Sequence, residues 1–115
     1  MNPTYGAEEI QNVTDYINSG GWIMEHVKTR EMEQMICDYV STTYAHMVPS
    51  ATSALIIAAM LADITPGERF AASAYTQAAT VNGAILMGGV PYFVDIDETG
   101  TINFDDIPSD CRVVF

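Results

Sequence analysis

The chain has 115 residues, of which 49% are hydrophobic and 17% are charged, and its net charge is −11. This balance predicts one folded domain and excludes an intrinsically disordered chain. With only four Lys and Arg residues in total, the sequence excludes the basic patch of a nucleic-acid-binding protein, and an anionic membrane surface would repel the chain.

The sequence predicts a cytoplasmic protein without a membrane anchor. Its longest uninterrupted apolar run, residues 54–62, is much shorter than the about 20 residues that a bilayer span needs. The first six residues contain neither a basic nor an apolar leader segment. Cys37 and Cys111 are far apart in the sequence and both lie on apolar faces, so we expect two reduced core thiols.

Two helices and a strand are predicted in the first half of the chain. Ile10, Val13 and Ile17 recur with helical spacing and predict an amphipathic helix over 6–18. A second apolar stripe predicts a helix over 30–40. Residues 44–48 then have the pattern of a short strand.

Strands and helices are predicted to alternate in the second half. Residues 52–61 predict a helix that is apolar almost all round and therefore buried on most sides. We expect the following elements to be a strand at 69–73, a helix at 77–87, a strand at 90–94, a short strand at 101–104 and the start of another strand at 111–115.

This alternation predicts an α/β fold with three layers, a mostly parallel sheet that carries helices on both faces. We expect one domain over 1–115. It comprises an N-terminal helix segment at 1–21 and an α/β core at 22–115 that is incomplete, because its last strand is truncated.

The segment from Ser50 to Ser53 is the strongest candidate for a binding site. Its small hydroxylated residues stand at a strand end, directly before an apolar helix. A helix N-terminus offers free N–H groups and a positive dipole end, and phosphate is a common ligand there. Ser and Thr are also the preferred helix caps. On the pattern alone, both interpretations stay open.

Other polar and glycine-rich positions favour structural roles. His26 and His46 lack metal-ligand spacing, so no metal site is predicted. The pairs Gly20–Gly21 and Gly88–Gly89 match no phosphate-loop fingerprint and indicate helix stops.

Asp95 and Asp97 follow the most regular predicted strand, at a spacing of two residues. A carboxylate at that position could be catalytic. A pair of this kind more often caps a turn or faces solvent, and we expect a turn here.

Taken together in this order, several motifs resemble the nucleotide-sugar aminotransferases of the DegT/StrS type, which are pyridoxal-phosphate enzymes of fold type I. The motifs are Ser-Ala-Thr-Ser-Ala-Leu at 50–55, Pro-Gly-Glu at 66–68, Tyr-Thr-Gln-Ala-Ala-Thr-Val-Asn-Gly-Ala at 75–84 and Gly-Gly-Val-Pro-Tyr-Phe-Val-Asp-Ile-Asp at 88–97. Upstream, Ser-Gly-Gly-Trp at 19–22 and Met-Glu at 32–33 are similar to the family's N-terminal pattern.

The resemblance implies pyridoxal 5′-phosphate as the cofactor. Ala51, Thr52 and Ser53 would hold its phosphate through backbone N–H groups and hydroxyls. Ala51 replaces the family's usual glycine. Gln77 stands where the family has an aromatic residue stacked on the pyridine ring, and its flat amide can cover a ring face over a smaller area.

The resemblance also implies the reaction, which moves an amino group from an amino acid such as glutamate to a nucleotide-linked keto sugar, in a homodimer. The family's pyridinium-pairing aspartate and cofactor-binding lysine have no counterpart in this sequence. We therefore expect an N-terminal fragment that is inactive alone. The alternatives are a non-catalytic phosphate- or cofactor-binding module, a fragment of a related pyridoxal-phosphate-dependent sugar dehydratase, and a mononucleotide-binding α/β domain.

Overall fold

A computed structural model describes residues 4–22 and 27–115. The chain divides into two compact units, Met1–Met47 and Val48–Phe115. His26 lies outside the described residues. None of the helices in the described ranges is long and apolar enough to cross a membrane.

The described residues of the first unit form two helices, α1 at Ala7–Asn18 and α2 at Val27–Val40. At the start of α1, the Gly6 N–H donates a 2.7 Å hydrogen bond to the Glu9 carboxylate. The predicted apolar stripe of α1 is present. Its members are nevertheless exposed by more than half, at 65% for Ile10, 61% for Val13 and 63% for Ile17.

The second unit is built on a three-stranded parallel sheet with strand order β2-β1-β3. Its elements are, in chain order, α3 at Ala51–Leu61, β1 at Arg69–Ser73, α4 at Ala78–Leu86, β2 at Val90–Val94, a 3₁₀ turn at Phe104–Asp106 and β3 at Val113–Val114. A parallel sheet with helices confirms the predicted α/β class.

The core of this unit is formed where one side of β1 faces the helices. Phe70 is fully buried and belongs to one cluster with Ala59 of α3 and Ala84 of α4. The ring of Phe115 meets the Phe70 ring edge-on, with 5.6 Å between centroids. Phe115 therefore extends the core beyond the end of β3.

Helix α3 is less buried than the sequence predicts. Of its described residues only Ala59 is buried, and Leu61 is 83% exposed. The helix packs along one side against α4. The other residues of α3 are half-buried or exposed, so the expectation of burial on most sides is wrong for this chain.

The strand predicted at 44–48 is absent, since the described residues there form no regular element. The Met47 N–H donates instead to the Glu33 carboxylate, at 2.9 Å. A backbone donor satisfied by a side chain has no need of a neighbouring strand.

The short strand predicted at 101–104 is reduced to one antiparallel bridge between Ile96 and Ile102. The Asn103 side chain accepts a hydrogen bond from the Asp105 N–H and starts a 3₁₀ turn. This local capping bond turns the chain away from an extended path.

Cys37 and Cys111 are free thiols, as expected. Both are half-buried, so neither is a core residue in the described chain.

Candidate functional site

The direction of α3 places its first turn at the carboxyl end of the sheet. Arg112, directly before β3, donates from Nη2 to the carbonyl oxygens of Ala62 at 2.9 Å and Asp63 at 3.0 Å. The C-terminus of α3 therefore lies at the amino end of the sheet. An 11-residue helix and a five-residue strand are both about 16 Å long, so the N-terminus of α3 reaches the level of the strand ends.

Helix α4 runs in the same direction. It follows β1 after a short turn in which the Ala74 N–H donates to the Val94 carbonyl at 2.8 Å. It ends just before the start of β2. There the N–H of Gly67, which precedes β1, donates to the carbonyl of Gly88, which precedes β2, at 2.8 Å. Both helices thus begin at the carboxyl end of the parallel sheet, which is where such sheets bind ligands.

Ser50 caps α3. Its hydroxyl oxygen accepts the Ser53 N–H at 3.1 Å, and the two hydroxyls lie 3.0 Å apart. The amides of Ala51 and Thr52 have no acceptor within residues 4–22 and 27–115. The first turn therefore contains both features that the sequence left open, a serine cap and two free backbone donors.

The donor set fits a phosphate group. In the described chain, neither α3 nor α4 has an acidic residue in its first turn. Glu8 and Glu9 occupy that position in α1, and Asp105 and Asp106 occupy it in the 3₁₀ turn. Although the chain has 15 acidic residues, the positive ends of α3 and α4 are not neutralised by a carboxylate of the first turn.

Gln77 is the N-cap residue of α4 and is exposed, and its side chain makes no capping hydrogen bond. A hydrogen bond of 2.9 Å joins the Thr76 and Thr80 hydroxyls across the same turn. The structure brings Gln77 to the same end of the sheet as Ala51, Thr52 and Ser53. Within the described residues, no hydrogen bond links it to that segment.

Asp97 caps a turn, as predicted. Its carboxylate accepts hydrogen bonds from the Thr99 hydroxyl at 2.6 Å, the Thr99 N–H at 2.8 Å and the Thr101 N–H at 3.0 Å. These bonds, the Thr99 hydroxyl foremost, lower the pKa of Asp97. Asp95 accepts the N–H of Ile96 at 2.8 Å.

The glycine and histidine predictions also have clear outcomes. Gly20 and Gly88 adopt positive φ angles of 67° and 88° directly after helices, which confirms their roles as helix stops. His46 does not lie on a strand, and its Nδ1 is 3.8 Å from the Glu33 carboxylate.

The sequence motif at 75–84 includes Gly83 but predicts no role for it. This residue is buried in the middle of α4, where the helix touches α3. The available signal was a glycine inside a helical pattern, which indicates either weak helix formation or a close approach.

The fold and the helix ends define an α/β protein whose parallel sheet has two helix N-termini at its carboxyl end. A family model, the DegT/DnrJ/EryC1/StrS aminotransferase family, matches residues 3–110. The chain therefore belongs to this family.

Individual relatives agree with this assignment. The spore coat polysaccharide biosynthesis protein SpsC of Bacillus subtilis (strain 168) is 36% identical over 111 residues, which are 96% of this chain and 28% of SpsC. Spr1654 of Streptococcus pneumoniae, assigned as a sugar aminotransferase and solved in its PLP-form, is 29% identical with a TM-score of 0.83. That match covers 97% of this chain and 30% of Spr1654.

A solved GDP-4-keto-6-deoxymannose-3-dehydratase shares the fold, with a TM-score of 0.85 at 18% identity. The match covers 98% of this chain and 32% of the dehydratase. The chain therefore spans about a third or less of the length of these three relatives.

Proposed function

We propose that this chain forms the phosphate-binding part of a pyridoxal-phosphate site, as the N-terminal portion of an enzyme that moves an amino group from an amino acid such as glutamate to a nucleotide-linked keto sugar. The observation that carries the proposal is the shared direction of α3 and α4, whose acid-free first turns meet at the carboxyl end of the sheet. Family membership and the PLP- and PMP-forms of Spr1654 support the choice of cofactor.

In this proposal, the N–H groups of Ala51 and Thr52 donate to the phosphate oxygens. The hydroxyls of Thr52 and Ser53 add two further donors. The Ser53 N–H takes no part, because it donates to Ser50 in the helix cap. Hydrogen bonds to a charged group contribute about 1.5–3 kcal/mol each, and the helix dipole adds about 0.3–2 kcal/mol.

Gln77, at the start of α4, would cover one face of the pyridine ring and keep water from that face. When bound, the cofactor supplies a ring that withdraws electrons from the reacting carbon of the amino donor. The second unit contains no lysine, and the single lysine of the sequence is Lys28 in the first unit. The amine that moves the proton would therefore come from outside the second unit, and the resemblance to the family implies the same for the carboxylate that pairs with the ring nitrogen.

A titration of the ¹⁵N-labelled chain tests the binding role. Pyridoxal phosphate and inorganic phosphate should both shift the amides of Ala51 and Thr52. Pyridoxal, which has no phosphate, should leave those amides unchanged. We expect millimolar affinity at best, about −4 kcal/mol, because immobilising the ligand offsets much of the hydrogen bonding. Amides that stay unchanged with pyridoxal phosphate would contradict the proposal.

A non-catalytic binding module is the second candidate. It is favoured by the absence of any lysine from residues 48–115. Sequencing the gene beyond the codon for Phe115 separates the two candidates, since a continued reading frame with an aspartate and a lysine motif supports the transferase. The lysine motif also separates an aminotransferase from a sugar dehydratase. ATP shifting the same amides in preference to pyridoxal phosphate would favour a mononucleotide-binding domain.

The proposal includes a homodimer in the cytoplasm, with nucleotide-sugar and amino-donor substrates. Light scattering of the protein as expressed from its complete gene checks the oligomeric state.

A further inference from the structure

Gly83 makes a backbone-to-backbone contact between α4 and α3. A β-carbon placed on Gly83 would lie 2.9 Å from the Ile56 α-carbon, 3.0 Å from the Leu55 carbonyl oxygen and 3.1 Å from the Ile56 nitrogen. Carbon atoms in favourable contact keep about 3.5–4.0 Å between them. At this crossing, only glycine permits the separation that the two helices have.

The atoms nearest to Gly83 cannot move aside as the end of a flexible side chain can. All three belong to the backbone of α3, so any added atom at Gly83 moves the helix itself. Ile56 is the sixth residue of α3, and Gly83 is the sixth residue of α4. Because the helices run in the same direction, contact between equivalent positions holds their N-termini side by side.

We propose that Gly83 is a positioning residue that sets the distance between the donors at Ala51 and Thr52 and the amide of Gln77. The inference rests on the proposed function, since this distance matters only for a ligand that touches both helix ends. Pyridoxal phosphate would do so, through its phosphate at α3 and its ring at α4. Inorganic phosphate would touch α3 alone.

The test compares these two ligands on the full chain and on Gly83→Ala. Alanine is the better helix former, so the substitution favours α4 by itself and any loss arises from the contact with α3. We expect pyridoxal phosphate to bind about tenfold more weakly to the variant, while inorganic phosphate binds within about twofold of the wild type. The readout is the amide shift of Ala51 and Thr52 with each ligand.

Asn82→Ala is the matched control. Asn82 neighbours Gly83 in α4 and is exposed, and its replacement also favours the helix. Affinity for both ligands should stay unchanged in this variant. A change in stability alone would alter the affinity for both ligands to the same extent. A change in the distance between the helix ends would alter only the affinity for pyridoxal phosphate, which contacts both of them.

The outcomes separate the two claims. The inference about Gly83 is wrong, and the proposed function stands, if the wild type binds pyridoxal phosphate at both helix ends but Gly83→Ala does not weaken its binding. The same holds if the substitution weakens the binding of both ligands equally. If pyridoxal phosphate shifts no amide of the wild type at either helix end, the proposed function fails and this inference fails with it.

If Gly83→Ala does not fold, further measurements still test the inference. Circular dichroism reports its helix content, and trimethylamine N-oxide, which favours the folded state, restores a marginal chain for the same titrations. In the wild type, nuclear Overhauser contacts between the α-protons of Gly83 and Ile56 report the close approach directly, and their absence would overturn the inference.

Discussion

Arg112 Nε donates a 2.7 Å hydrogen bond to Glu68 Oε1 and so joins two residues that are 44 positions apart. The same guanidinium holds the carbonyls of Ala62 and Asp63 at the end of α3. This hydrogen bond is the main reason that the pKa of Glu68 falls from 4.5 to about 2. Arg112 therefore fastens the end of α3 and the start of β1 to the start of β3.

Replacing this carboxylate should make stability depend less on pH. In the wild type, the pair stabilises the fold fully above the unfolded-state pKa of 4.5, and this contribution is lost as the pH falls towards the folded-state pKa of about 2. Glu68→Gln should therefore lower the urea midpoint at neutral pH and match the wild type near the acid limit. Urea titrations over a series of pH values measure the difference.

Glu31→Gln is the control for this pH series. It removes the partner of Lys28 from an exposed ion pair within one helix, and such a pair contributes little to the free energy of unfolding. A midpoint difference for Glu68→Gln that stays constant from neutral to acid pH would contradict the assigned role of the pair.

Thr52→Ala combined with Ser53→Ala should weaken pyridoxal-phosphate binding. A lost hydrogen bond to a charged group costs about 1.5–3 kcal/mol, so the dissociation constant should rise roughly tenfold or more. Amide shifts measure it. Ser50→Ala provides the control, because it removes the helix cap and about 0.5–2 kcal/mol of stability while leaving both hydroxyl donors. Equal effects of the two variants on binding would show that the hydroxyls act only through the helix.

Lys28 should form no specific covalent adduct with pyridoxal phosphate. Its amine is paired with Glu31 at 2.6 Å and its side chain is 64% exposed, which describes a solvated surface lysine and not an enclosed nucleophile. After borohydride reduction, peptide mapping should find only partial labelling, comparable with labelling of the N-terminal amine. Stoichiometric labelling at Lys28 that survives excess free lysine would be inconsistent with this prediction.

The chain by itself should bind dyes that report exposed apolar surface, and should associate as salt is added. Ile10, Val13 and Ile17 form one exposed apolar stripe on α1, and covering such side chains stabilises by about 1.5–3 kcal/mol each. The net charge of −11 opposes association, but salt screens it. Val13→Ser with Ile17→Ser should reduce dye binding.

Gln11→Ser controls for lost helix propensity, because it alters the polar side of the same helix. Dye fluorescence and light scattering are the measurements. A compact monomer with a cooperative thermal transition and no dye binding would argue against an incomplete core.

The regular elements of the second unit could be predicted from the sequence because local and global signals agree there. The strands at 69–73 and 90–94 have the predicted bounds. Helix α3 begins one residue before its predicted start, and α4 lies within one residue of its prediction at each end. Ser50, Gly88 and the apolar runs all act within a few residues, and a sequence pattern can record such effects.

Two of the failures involve partners that are distant in the sequence, whereas the strand predicted at 101–104 is lost to a local cap by Asn103. Residues 44–48 have the composition of a strand, yet Glu33 supplies the acceptor for Met47 from another element. The contact of Gly83 with Ile56 depends on how two helices cross, and no periodicity shows it. The candidate residues at 51–53 were found because a helix N-terminus is a local feature. Their placement at the same end of the sheet as Gln77 depends on the topology, which the sequence pattern does not show.

The strand order also has a consequence for how the second unit assembles. The pairing of β1 with β2 closes a short loop. The pairing of β1 with β3 closes a loop of more than 40 residues and therefore has a larger entropic cost. The Arg112–Glu68 bond, the Arg69–Asp110 bond and the bond from the Phe115 N–H to the Ala71 carbonyl all depend on that same closure. They should therefore form together, late in folding. During partial unfolding, residues 110–115 should therefore separate from the sheet as one cooperative unit. Their amides should exchange hydrogen well before those of β1 and α4.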